Sequence, residues 1–204
     1  MIERRAFLLF SAAAVSTAVL RPVAPAVAQG ADRASAFIKS TGDKLVAVIN
    51  SSAPAQQKRK ELTSIIESTV DIDGVARFCL GRFWRQATPD QQKNYIVLFR
   101  QVLVTSISVK LGEYQGVRFT IGRSRPQDGE QVVSTVIERP NNAPATVEWV
   151  VGHPQSSPKI IDVIAEGTSL RITQRSDYAS FLQRNGNNID ALLTAMRNQL
   201  AQSG

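Results

Sequence analysis

Few side chains in this sequence are placed to do chemistry. Its one histidine, His153, opens the polar stretch His153-Pro154-Gln155-Ser156-Ser157-Pro158, with no serine or cysteine motif around it. With no nucleophile motif for it to serve as base, His153 reads as a loop residue. The only cysteine, Cys79, stands between Phe78 and Leu80, a setting that suits a buried thiol acting as a small hydrophobe. Asp162 and Glu166 are four residues apart, which on a strand puts both on one face and suggests acid–base work. Asp162 is better read as fixing a strand edge or pairing with an arginine, because Glu166 directly precedes a turn at Gly167. There is no Gly-rich phosphate loop, nucleophile elbow or metal-ligand spacing. The residues argue against an enzyme: no catalytic residue, metal or cofactor is assigned.

The elements around these residues run helices, strands, helices. Apolar residues at Phe37, Ile38, Leu45, Val48 and Ile49 predict an amphipathic helix over 34–49, and Pro54 separates it from a second helix over 56–67. Asp71 is placed to cap a short helix over 72–80 that Gly81 ends. Thr88 caps the longest helix, with Pro89 in its first turn, a body over 95–111 and Gly112 as its stop. From Val117 the period changes to two. Val117, Phe119 and Ile121 alternate with polar residues, Gln127-Asp128-Gly129 is a hairpin turn, and strands follow over 131–138, 146–151 and 159–165. Helices over 178–184 and 189–200 close the chain. The expected fold is α+β: a four-stranded antiparallel meander covered by N- and C-terminal helices. Val133, Thr135 and Ile137 oppose Val132 and Val136 in the second strand, and Ile160 and Ile164 oppose Ile161 and Val163 in the fourth. A sheet with one wet face alternates more cleanly, so either both faces are covered or the inner one lines a cavity.

The N-terminus and the charge set the compartment and exclude one partner class. Arg4 and Arg5, the apolar run 6–20 and the small-residue triplet Ala26-Val27-Ala28 form a three-part secretory signal, with cleavage expected after Ala28. The run is shorter than the ~20 residues a membrane span needs. The Arg4-Arg5 pair with Phe7-Leu8 also looks like a twin-arginine start, which leaves the export route open. The exported product is expected to be one domain, 29–204. The net charge of +7 is spread along the chain; a nucleic-acid binder would cluster it, so nucleic acid is excluded as a partner.

The stretch 71–99, DIDGVARFCLGRFWRQATPDQQKNYIVLF, is similar to the signature of the MlaC-like (toluene-tolerance auxiliary) family. That signature joins a short helix to L-G-x-x-W-R-x-A-T-P-x-Q and a long helix ending near LGEY. Here those elements are Leu80, Gly81, Trp84, Arg85, Ala87, Thr88, Pro89 and Gln91, then Leu111 to Tyr114. Asp162-Val163-Ile164-Ala165-Glu166-Gly167-Thr168-Ser169-Leu170 resembles the family's D-V-x-x-E-G-x-S-L, and FLQRNGNNIDALLTAM its tail. The chain departs from the family's pattern at Pro158 and Lys159, where a tryptophan is usual, and at Gln174-Arg175, where the family has Tyr-Arg.

The resemblance implies a monomeric periplasmic lipid-binding component of an ABC transport system. Such a protein shuttles phospholipid between an outer-membrane lipoprotein complex and an inner-membrane ABC transporter with an MCE-domain component. Alternatives are a hopanoid carrier of the same fold, suggested by the wording FCLGRFWR and LGEYQGV, or a non-lipid-binding adaptor docking on a membrane transport complex. A carrier would hold the tails in an apolar pocket between the sheet and the long helix. The candidate lining residues are Phe83, Tyr95, Phe99, Val102, Leu103, Leu111, Phe119, Ile121, Val133, Val147, Trp149, Ile161 and Val163. Arg82, Arg85 and Arg118 are candidates for head-group or partner contact, while the motif residues Gly81, Trp84, Arg85, Thr88 and Pro89 are expected to fix a helix junction rather than bind lipid.

Overall fold

Local capping motifs set several of the helix boundaries. The computed structural model describes residues 26–112 and 114–202, so the expected leader lies outside the described residues up to 25. Four helices come first: α1 (Ala26–Asn50), α2 (Ala55–Thr69), α3 (Ile72–Leu80) and, after a 3₁₀ turn at Gly81–Arg85, α4 (Pro89–Gly112). Asp71 caps α3 by accepting from the Gly74 N–H at 3.0 Å, and Gly81 ends it at φ +58°. At α4 the Thr88 hydroxyl accepts from the Gln91 N–H at 3.2 Å while the Gln91 side chain accepts from the Thr88 N–H at 3.0 Å. This reciprocal cap satisfies two orphan donors at once.

The sheet contains β1 (Arg118–Gln127), β2 (Glu130–Glu138), β3 (Ala145–Gly152), β4 (Lys159–Ala165) and β5 (Thr168–Ser169), paired antiparallel in that order. Asp128 and Gly129 join β1 to β2 with φ values of 50° and 84°, as a two-residue primed turn requires. Helices α5 (Leu170–Arg184) and α6 (Ile189–Gln202) follow. The α+β meander expected from the sequence is present, with four corrections.

The sheet has five strands rather than four. Glu166 and Gly167, at φ 52° and 77°, make a second tight turn, and β5 pairs back on β4. Helix α5 starts at Leu170, not at 178, because the local N-cap Ser169 and Asp162, from β4, hold its first turn. Ser169 accepts from the Ile172 N–H at 3.1 Å and Asp162 from the Arg171 N–H at 3.0 Å. Leu170 and Ile172 are 52% and 58% exposed, so this end carries no amphipathic period to read. The third correction concerns β4. Val150 pairs with Asp162 but Val151 with Ile160, which makes Ile161 an extra, bulged residue. Ile160 and Val163 therefore pack in one cluster, against the expected alternation. Helix α1 also begins earlier than 34, at Ala26; its first turns are alanine-rich, with strong helix propensity but no apolar period.

The core falls into three parts. Helices α3 to α6 pack around Tyr95, Phe99, Tyr178 and Leu182. The N-terminal half of α1 lies on the sheet through Ala34 and Ile38 against Val133, Val151 and Ile160. Its C-terminal half joins α2 at Val48, Ile49 and Leu62, with Val117.

Candidate functional site

Residues paired across neighbouring strands share a face, so the register defines the surface that α1 covers. Three rows run across it: Ile121, Thr135, Val147 and Ala165; Ser124, Val133, Trp149 and Val163; Pro126, Gln131, Val151 and Ile160. A β1 bulge between Ile121 and Ser124 keeps the rows in step. Val133, Thr135 and Val151 are wholly buried, whereas Ile121, Val147, Trp149, Val163 and Ala165 remain partly exposed. Helix α1 contacts β1 and β2, and α4 packs chiefly on α2, α3 and α6 rather than on the sheet. Cover is thus thinnest around Val147, Trp149, Val163 and Ala165, while Val151 and Ile160 are buried against Ala34 and Ile38.

The polar group at its centre is internally satisfied. The Thr135 hydroxyl accepts the Trp149 indole N–H at 2.9 Å and donates to the Val147 carbonyl at 3.1 Å. A hydroxyl engaged in both roles makes little demand on water, so an apolar group can cover it without stranding a polar atom. An apolar ligand needs such a surface; a reacting one would need groups that are missing here. Among the described residues no three His, Cys, Asp or Glu side chains gather into a metal-holding group.

The thirteen candidate lining residues are not all together. Ile121, Val133, Trp149 and Val163 meet in the cluster beneath α1. Phe83, Tyr95, Phe99, Val102 and Leu103 belong to the helical core, and Leu111 to the cluster joining α1 and α2. The Phe119 ring points end-on at Gly42 of α1, where a Cβ would stand 2.2 Å from its Cζ. Val147 lies in the Thr135 row, and the bulged Ile161 packs against Gly152. The sequence reading puts the long helix over this face, but α4 is spent on α2, α3 and α6, and Ala34, Phe37, Ile38 and Gly42 of α1 supply the cover instead. The signal was the stripe through Phe37 and Ile38, which marks a buried helix face without saying which surface it buries.

The motif residues build joints. The Trp84 ring lies 6.4 Å edge-on from Tyr95 and under the Arg77 guanidinium at 5.2 Å. The Tyr95 hydroxyl donates to the Ala76 carbonyl at 2.9 Å, and the Gln91 amide reaches Asp190 on α6 at 3.0 Å. Asp162, 7% exposed, accepts from Ser169 Oγ at 2.5 Å and the Val163 N–H at 2.8 Å, with Arg171 Nε at 3.4 Å. It therefore both fixes a strand and pairs with an arginine, and all these bonds are structural. Burial, reinforced by the Asp162 carboxylate, pushes the Cys79 thiol up to about 12, which makes it inert. His153 is exposed in its loop at φ 50°. Arg82, Arg85 and Arg118 are exposed, with the Arg82 guanidinium 4.9 Å over the Phe83 ring.

Comparison with known proteins places this architecture. The toluene tolerance protein ttg2D of Pseudomonas putida is 25% identical over 144 residues, covering 70% of this chain and 67% of that protein. A phospholipid-binding protein from Ralstonia solanacearum, solved in complex with a phospholipid, aligns at a TM-score of 0.73 and 22% identity, over 83% of this chain and 98% of that one. At that identity the likeness is one of fold. The sequence pattern of the MlaC protein matches residues 39–198, and over that span the chain belongs to the MlaC family.

Proposed function

We propose that this protein is a non-enzymatic phospholipid carrier that holds acyl tails against the half-covered face of its sheet. The observation that carries the reading is the contrast on that face: a wholly buried, internally satisfied Thr135 ringed by partly exposed Ile121, Val147, Trp149 and Val163. Tails laid there would complete a core that α1 covers only in part. Burial is worth roughly 0.8 kcal/mol per methylene, so a 16-carbon tail gains up to about 12 kcal/mol. A gain of that size competes with a bilayer without any reaction or polar trigger. Family membership and the fold shared with a phospholipid-bound protein support the same reading.

The carrier works in the periplasm after cleavage behind Ala28, as one domain, and moves phospholipid between an outer-membrane lipoprotein complex and an inner-membrane ABC transporter with an MCE-domain component. Among the described residues no helix is long and apolar enough to cross a membrane. Incubating the purified protein with vesicles of tail-labelled phosphatidylglycerol, then separating the two, tests the binding step. Label that co-migrates with the protein supports it, and label that stays with the vesicles counts against it.

A further inference from the structure

The junction of α1, α2 and α4 holds a feature that the apolar face does not use. A cavity of about 300 Å³ opens there, lined by Ala55, Lys58, Arg59, Leu62, Ser108 and Gln115 among others. Ser108, on α4, is only 4% exposed, and its hydroxyl oxygen is buried without a hydrogen-bond partner. Buried polar atoms are almost always paired, so an orphan hydroxyl on a cavity wall points to an absent ligand. The first turn of α2 meets the same cavity at Ala55. Its N-cap position is Pro54, which provides no side-chain acceptor, so the leading N–H groups of this helix are uncapped. They carry the positive end of the helix dipole. Lys58 and Arg59 add two full charges, and no carboxylate lines the cavity among the described residues. The Lys58 ammonium is fixed beside it by donating to the Ile49 carbonyl at 2.9 Å.

We propose that this cavity is a site for a phosphate-class oxyanion. Donors come from three elements: uncapped N–H groups and two cations from α2, a hydroxyl from α4 and the Gln115 amide from the loop before β1. A tetrahedral anion has oxygens enough to meet them all, whereas a carboxylate has two. The phosphate is either a lipid head group or a free anion. None of the lining residues belongs to the sheet rows described above, so the site stands whether or not the carrier reading holds.

The test is a ¹⁵N-amide titration of the purified protein at low ionic strength with inorganic phosphate, and separately with short-chain phosphatidylglycerol beside a diacylglycerol control. Saturable shifts at residues 55–57 and Ser108 are expected, with affinity reduced at least about tenfold in Arg59→Gln. Arg59 is exposed, so this variant keeps the fold, and its unshifted amides elsewhere report that directly; Ser108→Ala is a second variant expected to weaken binding. Shifts with inorganic phosphate identify a free-anion site. Shifts with phosphatidylglycerol alone, absent with diacylglycerol, identify a head-group site. No saturable shift with either ligand, or shifts unchanged in Arg59→Gln, overturns the proposal.

Discussion

Replacing Gly42 by alanine tests how α1 is seated on the sheet. In a helix interior this change normally stabilises by about 1 kcal/mol. Here the new Cβ would stand 2.2 Å from Phe119 Cζ and 2.5 and 2.6 Å from its two Cε atoms. Carbon contacts settle near 3.5–4.0 Å, so the ring must retreat by more than about 1 Å. Rotating the ring does not help, because Cζ lies on the χ2 axis. The relief has to come from χ1 or from the backbone, and overpacking of this kind costs about 1–3 kcal/mol. Less the propensity gain, Gly42→Ala should destabilise by up to about 2 kcal/mol. In a Phe119→Ala background the clash is gone, and the same change should stabilise by about 1 kcal/mol. Urea denaturation of the four proteins in the cycle gives the coupling directly. A coupling below about 0.5 kcal/mol, or stabilisation by Gly42→Ala alone, would refute the contact between α1 and β1.

Three further outcomes follow from the packing. Asp162→Ala leaves the Ser169 hydroxyl and the Arg171 N–H without their acceptor and Arg171 with only the longer pair to Glu130, so it should cost about 1–3 kcal/mol in urea denaturation and speed amide exchange at the start of α5. Cys79 ionises near 9.0 when unfolded but only near about 12 when folded, so the folded state holds its proton and stability is full below pH 9. It is lost as pH rises from 9 towards 12, at about 1.4 kcal/mol per pH unit from this group. Cys79→Ala should flatten that slope by this amount, and an equal slope in both proteins would contradict the burial. Val147→Trp, on the partly exposed half of the face, should cut lipid loading several-fold with an unchanged far-ultraviolet spectrum, whereas Val133→Trp, wholly buried beneath α1, should unfold the protein.

Local chemistry made much of the fold legible. Asp71, Gly81, Thr88, Pro89 and Asp128-Gly129 each announce a cap or a turn within a few residues, and each sits where its chemistry requires. The start of α5 was read too late: Ser169 caps it locally, but the exposed Leu170 and Ile172 carry no apolar period, and the second acceptor, Asp162, comes from a different element. The β4 bulge was hidden for a related reason. A run of apolar residues on both faces, Ile160 to Ile164, reads the same with or without an extra residue, and only pairing with β3 decides. The candidate site shows the same division. Sheet alternation singled out Ile121, Val133, Trp149 and Val163, which do meet. The stripe on α4 has the same apolar composition, but Tyr95 and Phe99 spend it on the other helices, a tertiary choice that periodicity does not encode.

The central claim is that the half-covered face holds lipid, and the most direct measurement is native mass spectrometry of the purified protein, followed by extraction and identification of whatever is bound. A stoichiometric adduct with the mass of a phospholipid is expected, reduced several-fold in Val147→Trp. A clean unliganded mass that does not change after incubation with membranes would contradict it.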